Sequence, residues 1–416
     1  MKILFSHPTG NANVRAVARG LALKGLLYSF YTSIAAFPCN IWYRIGGYPP
    51  LSEFRRRSFD SVLQPYTKLY PWGELGRALA TKLGWKKLLE HETGKFSVDQ
   101  NYRNFDSHVA ASLVAAARAG ATGVYAYEDG ALETFTEAKK LGLLCIYDLP
   151  IAYWETGRKL MFEEAIRLPE WAQTLGGGIK DSSAKLERKR KELELADVVV
   201  GPGSFVMNSL PDWAKHKKQI VSPFGSPALN ENTFFALDQK KDFNRPLRVL
   251  FVGSMGQRKG LGDLFAAMRL LDNANIELVV LGSLLVPITF YKEEYADFRY
   301  ETGRSHSEVL ALMRTCDVFC LPSIVEGRAL VMQEAMSQGL PLIITANTGG
   351  EDLIIEGETG FLVPIRSPEA IANKLVWFLE NRLLIPEMGM KAQEHAAKYT
   401  WEKYAGTIIN ELATII

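Results

Sequence analysis

Glu326 and Glu334 are two carboxylates with seven residues between them, set in a segment from Pro322 to Gly339 whose character changes along its length. Val318 to Leu321 is a short apolar run that Pro322 would end, Glu326-Gly327 falls in a turn, and Ala329 to Ser337 has helical composition closed by Gly339. The pattern predicts strand, loop and helix, with one acid on the loop and the other about a turn and a half into the helix. A helix that begins at the carboxyl end of a parallel strand presents unpaired N–H groups and a partial positive charge, which suits an anion such as phosphate. Acids at the same place make sense if the ligand also brings hydroxyl groups whose hydrogen bonds a carboxylate accepts. A nucleotide-sugar supplies both, a diphosphate for the helix start and ribose and hexose hydroxyls for the two acids. Taken alone, the pair reads as a solvated loop residue and a surface helix residue.

Two further segments stand beside it in order. Phe251-Val252-Gly253-Ser254-Met255-Gly256-Gln257-Arg258-Lys259-Gly260-Leu261 is a glycine-rich strand-to-helix turn with a basic pair. Asn347-Thr348-Gly349-Gly350-Glu351-Asp352-Leu353-Ile354 precedes Gly357-Glu358-Thr359-Gly360-Phe361-Leu362-Val363-Pro364. Together the three resemble the signature of the family-4 glycosyltransferases, retaining sugar-transfer enzymes of the GT-B fold. The resemblance is strong from about Arg248 to Ile365 and only general in the first half.

It implies a fold class of α/β type, two Rossmann-like domains facing across a cleft. It places Glu326 at the donor sugar, Glu334 at the nucleotide ribose and Lys259 at the diphosphate, with Gly327, Arg328, Ala329 and Leu330 completing the donor loop and helix start. Arg258 reads as a second phosphate contact or as a solvated residue before a helix. The chain departs from the family at Ser254, where many members carry Arg, so half of the usual phosphate clamp rests on whether Arg258 replaces it. The resemblance also implies retention of configuration, with no protein nucleophile. No Asp-x-Asp pair occurs, which fits metal-independent chemistry. The implied donor is a UDP- or GDP-sugar, with no other cofactor.

Composition fits this reading. A chain of 416 residues exceeds one ordinary core, and 47% apolar residues are enough to fill two. A net charge of +2 argues against a nucleic-acid partner. Cys39, Cys145, Cys316 and Cys320 are scattered; Cys316 and Cys320 lie four apart, but without a matching pair they do not suggest zinc. Met1 to Ser6 reads at once as a strand, with no cleavage-like site after it, and no apolar run reaches the roughly 18 residues of a spanning helix. The expectation is a cytoplasmic protein, soluble or peripheral to the inner face of a membrane.

These residues need a scaffold, and strand and helix patterns alternate to provide it. Strands are predicted at Lys2 to Ser6, Leu26 to Tyr31, Val124 to Tyr127, Leu143 to Tyr147 and Asp197 to Val200, with helices at Val14 to Lys24, Ser107 to Arg118, Leu132 to Leu141 and Glu187 to Glu194. That rhythm means parallel sheet with crossover helices. Residues 1–225 form the expected acceptor-side domain, 226–245 a linker and 246–395 the donor domain. In the donor domain, strands are expected at Leu247 to Phe251 and Ile276 to Leu281. Helices are expected at Leu261 to Leu271, from Ser305 with a Glu308 capping box, and from Ser367-Pro368-Glu369 to about Glu380. By resemblance, the amphipathic segment within 400–416 returns to pack on the first domain.

Signals on the first domain are fewer. Gly10, after the first strand, marks either a backbone approach to ligand or a simple turn. His7, at the strand end, is either a ligand contact or a loop cap. Asp148 either replaces the histidine that relatives direct at the donor sugar or caps a turn before Pro150. Glu128-Asp129 leaves the same two readings. Residues 38–103 break the rhythm and mix Trp42, Tyr43, Trp72 and Trp85 with Arg44, Arg55, Arg56, Arg57, Lys86 and Lys87. Such a mixture suits an anionic membrane surface, an acceptor pocket or a solvated face over a core. The acceptor, whether saccharide, lipid-linked or small molecule, is not specified by the sequence.

Overall fold

The computed structural model describes residues 1–38, 40–48, 53–227, 244–272 and 275–415. Most of the expected linker lies outside these residues, including Asn230, Asn232 and the charged run Asp238 to Asp242, as does Cys39.

Two parallel sheets organise the chain. The first contains β1 (Ile3–Ser6), β2 (Leu27–Thr32), β3 (Thr67–Leu69), β4 (Gly123–Tyr127), β5 (Leu144–Asp148), β6 (Val198–Gly201) and β7 (Lys218–Val221), in the order β3-β2-β1-β4-β5-β6-β7. The second contains β8 (Leu247–Val252), β9 (Ile276–Leu281), β10 (Phe298–Glu301), β11 (Val318–Leu321), β12 (Leu342–Ile344) and β13 (Gly360–Leu362), in the order β10-β9-β8-β11-β12-β13. Every pairing is parallel; Val249 lies opposite Val318 where β8 meets β11, and Ile3 opposite Gly123 where β1 meets β4. In both sheets the strand order reverses at that central pair. Such a reversal opens a crevice at the carboxyl ends of the strands, because successive crossover helices leave on opposite faces. The loops after β8 and β11 therefore converge.

Crossover helices cover both faces, which is why the central strands are apolar without alternation. Phe251, Leu264, Phe265 and Phe319 belong to one core around the second sheet. Cores on the two faces of the first sheet include Phe5 with Phe30, and Leu4 with Tyr147. The Trp401–Ala413 helix closes the chain on the first domain, with Tyr404, Ile408 and Leu412 in the core that holds Phe5. Gly20 makes this approach feasible, since a Cβ there would lie 2.8 Å from Ile409.

Several elements differ from the sequence reading. The expected Ser107 to Arg118 helix is two helices, Val98–Ala110 and Leu113–Arg118. Residues 38–103 contain the helices Ile41–Ile45, Glu53–Arg56 and Trp72–Lys82 and the edge strand β3. A long helix, Trp154–Arg167, follows β5 and leads into a 3-10 turn, Pro169–Thr174. This segment lies within the expected first domain, yet Trp171 is buried in the second domain's core against Phe265, Phe290 and Tyr291.

Candidate active site

The turn after β8 places the basic pair. Gly260 has φ 73° and lies so close to Pro322 that a Cβ would meet its carbonyl oxygen at 2.0 Å, so glycine lets the β8 and β11 loops touch. The carbonyl of Arg258 accepts a hydrogen bond from Ile324 N–H at 2.9 Å, joining the two loops again. Arg258 Nη1 and Lys259 Nζ consequently both reach Glu326 Oε1, each at 2.6 Å. Arg258 also donates to the carbonyl of Val325 at 3.0 Å. Burial pushes the Lys259 ammonium below its ordinary pKa; Glu326 opposes this and neighbouring Arg258 adds to it. The single carboxylate offsets one of the two positive charges, so the cluster keeps a net positive charge.

The loop bearing Glu326 rests on the next one. Glu326 N–H donates to the Asn347 carbonyl at 3.1 Å, Asn347 Nδ2 to the Ile324 carbonyl at 2.8 Å, and Ala329 N–H to the Thr348 carbonyl at 3.2 Å. The helix that follows spans Leu330–Ser337, one residue shorter at its start than its composition suggests. A cavity of about 460 Å³ opens beside it, lined by Gly253, Ser254, Lys259, Leu330 and Glu334 together with Arg304 and His306. The structure thus brings Ser254, Lys259, Ala329, Leu330 and Glu334 to one space, with Glu326 paired to Lys259 at its edge and Arg258 paired to Glu326. Burial raises the Glu334 carboxyl above the usual glutamate range, while His306, 3.6 Å away, acts in the opposite direction. Ser305 and Glu308 form the expected capping box. The sequence reading stopped at that cap and missed His306 beside it, whose only signal was its position at a helix start.

Gly327 has a steric role across the domains. A Cβ there would sit 1.7 Å from the Pro150 carbonyl oxygen, so the loop after β5 presses directly on the donor loop. Ala152 N–H donates to the Glu326 carbonyl at 3.4 Å at the same contact.

Three of the expected site residues are held by contacts within the protein. Arg328 does not face the cavity: it is buried, forms a two-pronged pair with Asp352, donates to the Gly349 carbonyl and to Gln333, and lies over the Tyr399 ring. Its guanidinium ties two loops together, with four of its five N–H donors used within the protein. Asp148 is 1% exposed and accepts a 2.5 Å hydrogen bond from Tyr125 Oη, with Tyr127 as a second donor. In the parallel register it lies opposite Tyr127, and its carboxyl is buried on the same face as that residue. Burial pushes it up to about 7, against the two tyrosine hydrogen bonds. Gly10 is required by packing, because a Cβ would strike the Phe59 ring at 2.3 Å.

The remaining first-domain candidates have protein partners. His7 is buried, its Nδ1 bonded to the loop at Thr9, and burial pushes it down to about 4. Glu128 and Asp129 both face Lys189 at 3.3 Å, and Asp129 also pairs with Arg188.

Comparison with known proteins bears on this geometry. Residues 234–399 match the family model described as glycosyl transferases group 1. The chain is 30% identical over 210 residues to the uncharacterized glycosyltransferase MJ1178 of Methanocaldococcus jannaschii, covering 50% of this chain and 57% of that protein. It is 31% identical over 175 residues to a D-inositol 3-phosphate glycosyltransferase of Corynebacterium glutamicum, covering 38% and 41%. The matches thus span about half of these relatives' lengths. Sucrose-phosphate synthase from Thermosynechococcus elongatus superposes with a TM-score of 0.66 at 17% identity, and HepE of Anabaena in complex with UDP with 0.62 at 15%, each over all of both chains. The fold is that of the GT-B glycosyltransferases, and the matched family segment carries Arg258, Lys259, Glu326 and Glu334.

Proposed function

We propose that this chain is a glycosyltransferase that moves a hexose from a UDP- or GDP-sugar to an acceptor hydroxyl with retention of configuration and without a metal. The carrying observation is the convergence of Lys259, Arg258 and Glu326 beside a cavity that also contains Glu334. The diphosphate lies against Lys259 and the first turn of the Leu330–Ser337 helix, whose leading N–H groups have no partner within the helix. Glu334 accepts hydrogen bonds from the ribose, and Glu326 from the sugar. In the reaction the bond from the anomeric carbon to the phosphate oxygen breaks as the acceptor oxygen bonds to that carbon. The acceptor proton passes to the leaving phosphate. Lys259 and Arg258 stabilise the charge that develops there, the interaction with most leverage on such a step. The acceptor approaches from the first domain, and the Pro150–Gly327 contact is where that domain meets the donor loop.

Family and fold matches support the sugar-transfer class, and HepE was solved with UDP. We assign the chain to the cytoplasm, with peripheral membrane contact through Trp72, Leu79, Leu83 and Trp85, which are all exposed near Lys86 and Lys87. No helix among the described residues is long and apolar enough to cross a membrane.

Thermal unfolding against UDP, GDP and their sugars tests the donor, since a ligand that binds only the folded state raises the melting temperature. At least one sugar nucleotide is expected to do so, and Glu334→Ala to abolish the shift. Incubation with labelled donor, with and without candidate acceptors, then separates outcomes. Nucleoside diphosphate released only with acceptor supports transfer; an isomerised donor formed without acceptor indicates an epimerase. Binding without turnover indicates a sensor, and no binding removes the proposal.

A further inference from the structure

The segment 154–175 leaves the first sheet after β5, crosses to the second domain and returns to β6. Two of its polar contacts there meet at Gln257, immediately before the basic pair. Gln257 is fully buried, and each polar group of its side chain is used. Its Nε2 donates to Glu164 Oε2 and Asp263 Oδ2, both at 2.8 Å, and its Oε1 accepts from Gly262 N–H at 3.0 Å. Its backbone N–H donates to Thr174 Oγ1 at 3.0 Å. Two of these partners, Glu164 and Thr174, lie in the crossing segment.

The acid partners are themselves held. Arg167 makes a two-pronged pair with Asp263, 2.8 Å on each prong, and donates to Glu164 at 2.6 Å. Arg366, from the second domain, donates to the other oxygen of Glu164. Two carboxylates and two guanidiniums thus form a compensated network, the condition under which buried charge is tolerable. Apolar packing runs in parallel: Met161 and Leu175 share a cluster with Ile324 and Val325, the residues just before Glu326.

Steric fit gives independent support. A Cβ at Gly256 would lie 2.8 Å from the Thr174 carbonyl oxygen, and one at Gly262 would lie 3.0 Å from the Trp171 ring. The turn after β8 is therefore shaped around this strap on one side and around Pro322 on the other. Among the described residues, Arg258 and Lys259 gain their direction from a turn whose preceding residue is fixed by a segment of the first domain's chain.

We infer that the 160–175 strap is a positioning element for the diphosphate-binding cations, with Glu164 and Thr174 acting through Gln257 as positioning residues. This rests on the donor reading given above. It gives the acceptor-side half of the chain a direct hold on the donor-side phosphate loop.

The test compares Thr174→Val, Thr174→Ser and Glu164→Gln with Lys259→Ala in the full chain. The affinity of whichever of UDP and GDP binds wild type more tightly is measured beside that of its monophosphate. Losing the Gln257 hydrogen bond in Thr174→Val is expected to weaken the diphosphate about five- to tenfold, while the monophosphate stays within about twofold. Glu164→Gln should act in the same direction, and Thr174→Ser should restore wild-type behaviour. A general loss of folded structure would reduce both nucleotides together and would not be rescued by serine. Amide hydrogen exchange across 254–262 without nucleotide should be faster in Thr174→Val. If Lys259→Ala weakens the diphosphate and Thr174→Val changes neither the ratio nor exchange, the positioning role is wrong. If Lys259→Ala itself leaves the diphosphate unaffected, the donor reading fails, and the inference fails with it.

Discussion

Replacing Glu326 by glutamine should tighten binding of the free nucleoside diphosphate while abolishing most turnover. Glu326 Oε1 stands 2.6 Å from both Lys259 Nζ and Arg258 Nη1. An incoming diphosphate meets two cations, one of whose charges is already offset by an acid that does not leave. With a phosphate charge about 5 Å from the Glu326 carboxylate and an effective dielectric near 20, Coulomb repulsion is about 3 kcal/mol. Arg258 is one-third exposed, so water screens part of this, and a net gain of about 1–2 kcal/mol is expected, roughly five- to thirtyfold tighter binding. Glutamine keeps the shape and still offers an oxygen to the cations. It loses the charge-assisted bonds to sugar hydroxyls, whose removal should lower turnover by about a hundredfold or more.

The pH dependence adds a signature. Lys259 is already below its ordinary pKa through burial, and Glu326 opposes this through its charge and its hydrogen bond. Glutamine removes the charge and weakens the hydrogen bond, so Lys259 should lose its proton at lower pH in the variant than in wild type. Because the protonated form binds the anion, the affinity gain should be largest near neutrality and disappear on the alkaline side. Calorimetric titration with UDP and GDP from pH 6 to 9, beside turnover with labelled donor, measures both effects. If Glu326→Gln weakens the diphosphate as much as Lys259→Ala does, Glu326 is not a competing anion beside the phosphate site.

Other expectations follow from the same geometry. Glu334 accepts ribose hydroxyls most strongly when ionised and burial raises its pKa, so ribonucleotide affinity should begin to fall above the ordinary glutamate range of about 4.3 as pH is lowered. Glu334→Gln, and 2′-deoxynucleotides on wild type, should flatten that profile; an unchanged profile would remove the ribose assignment. Asp148, with its folded pKa raised to about 7, binds its proton more tightly in the folded state, so its stability penalty grows as pH rises from about 4 to 7 and is complete above that. Asp148→Asn should therefore stabilise the protein at pH 8 by on the order of 2–4 kcal/mol, with little difference near pH 4. Its transfer activity should stay within about threefold; a hundredfold loss in a stable variant would return Asp148 to the sugar site. Gly327→Ala places a Cβ 1.7 Å from the Pro150 oxygen, so the domains must separate locally, costing about 1–3 kcal/mol by thermal unfolding and reducing turnover. Unchanged melting and turnover would mean that this contact is not part of the working structure.

What the sequence revealed and what it concealed depend on how each element buries its side chains. The β11-to-helix segment was legible because an apolar run, a proline stop and a glycine end are local signals, and its site residues are local to them. The Ser305–Glu308 and Ser367–Pro368–Glu369 caps were legible for the same reason. Asp148 misled because β5 is covered on both faces: alternation then carries no inward or outward sign, and only register against β4 shows that its carboxyl joins Tyr125 and Tyr127. Arg328 misled because a cation in a glycine-rich loop suggests phosphate, whereas its partner Asp352 lies 24 residues away. The Trp154–Arg167 helix escaped notice for a deeper reason. Its buried face toward the second domain is partly ionic, with Glu164 fully enclosed and Arg167 paired twice, so the periodicity that identifies amphipathic helices is diluted there. Hydrophobic pattern detects an element through the core it helps to fill, and an element seated through charge at a domain contact gives little such signal. Locating segments of that kind requires the partner charges of the other domain, here Arg366 and Asp263, to be in view.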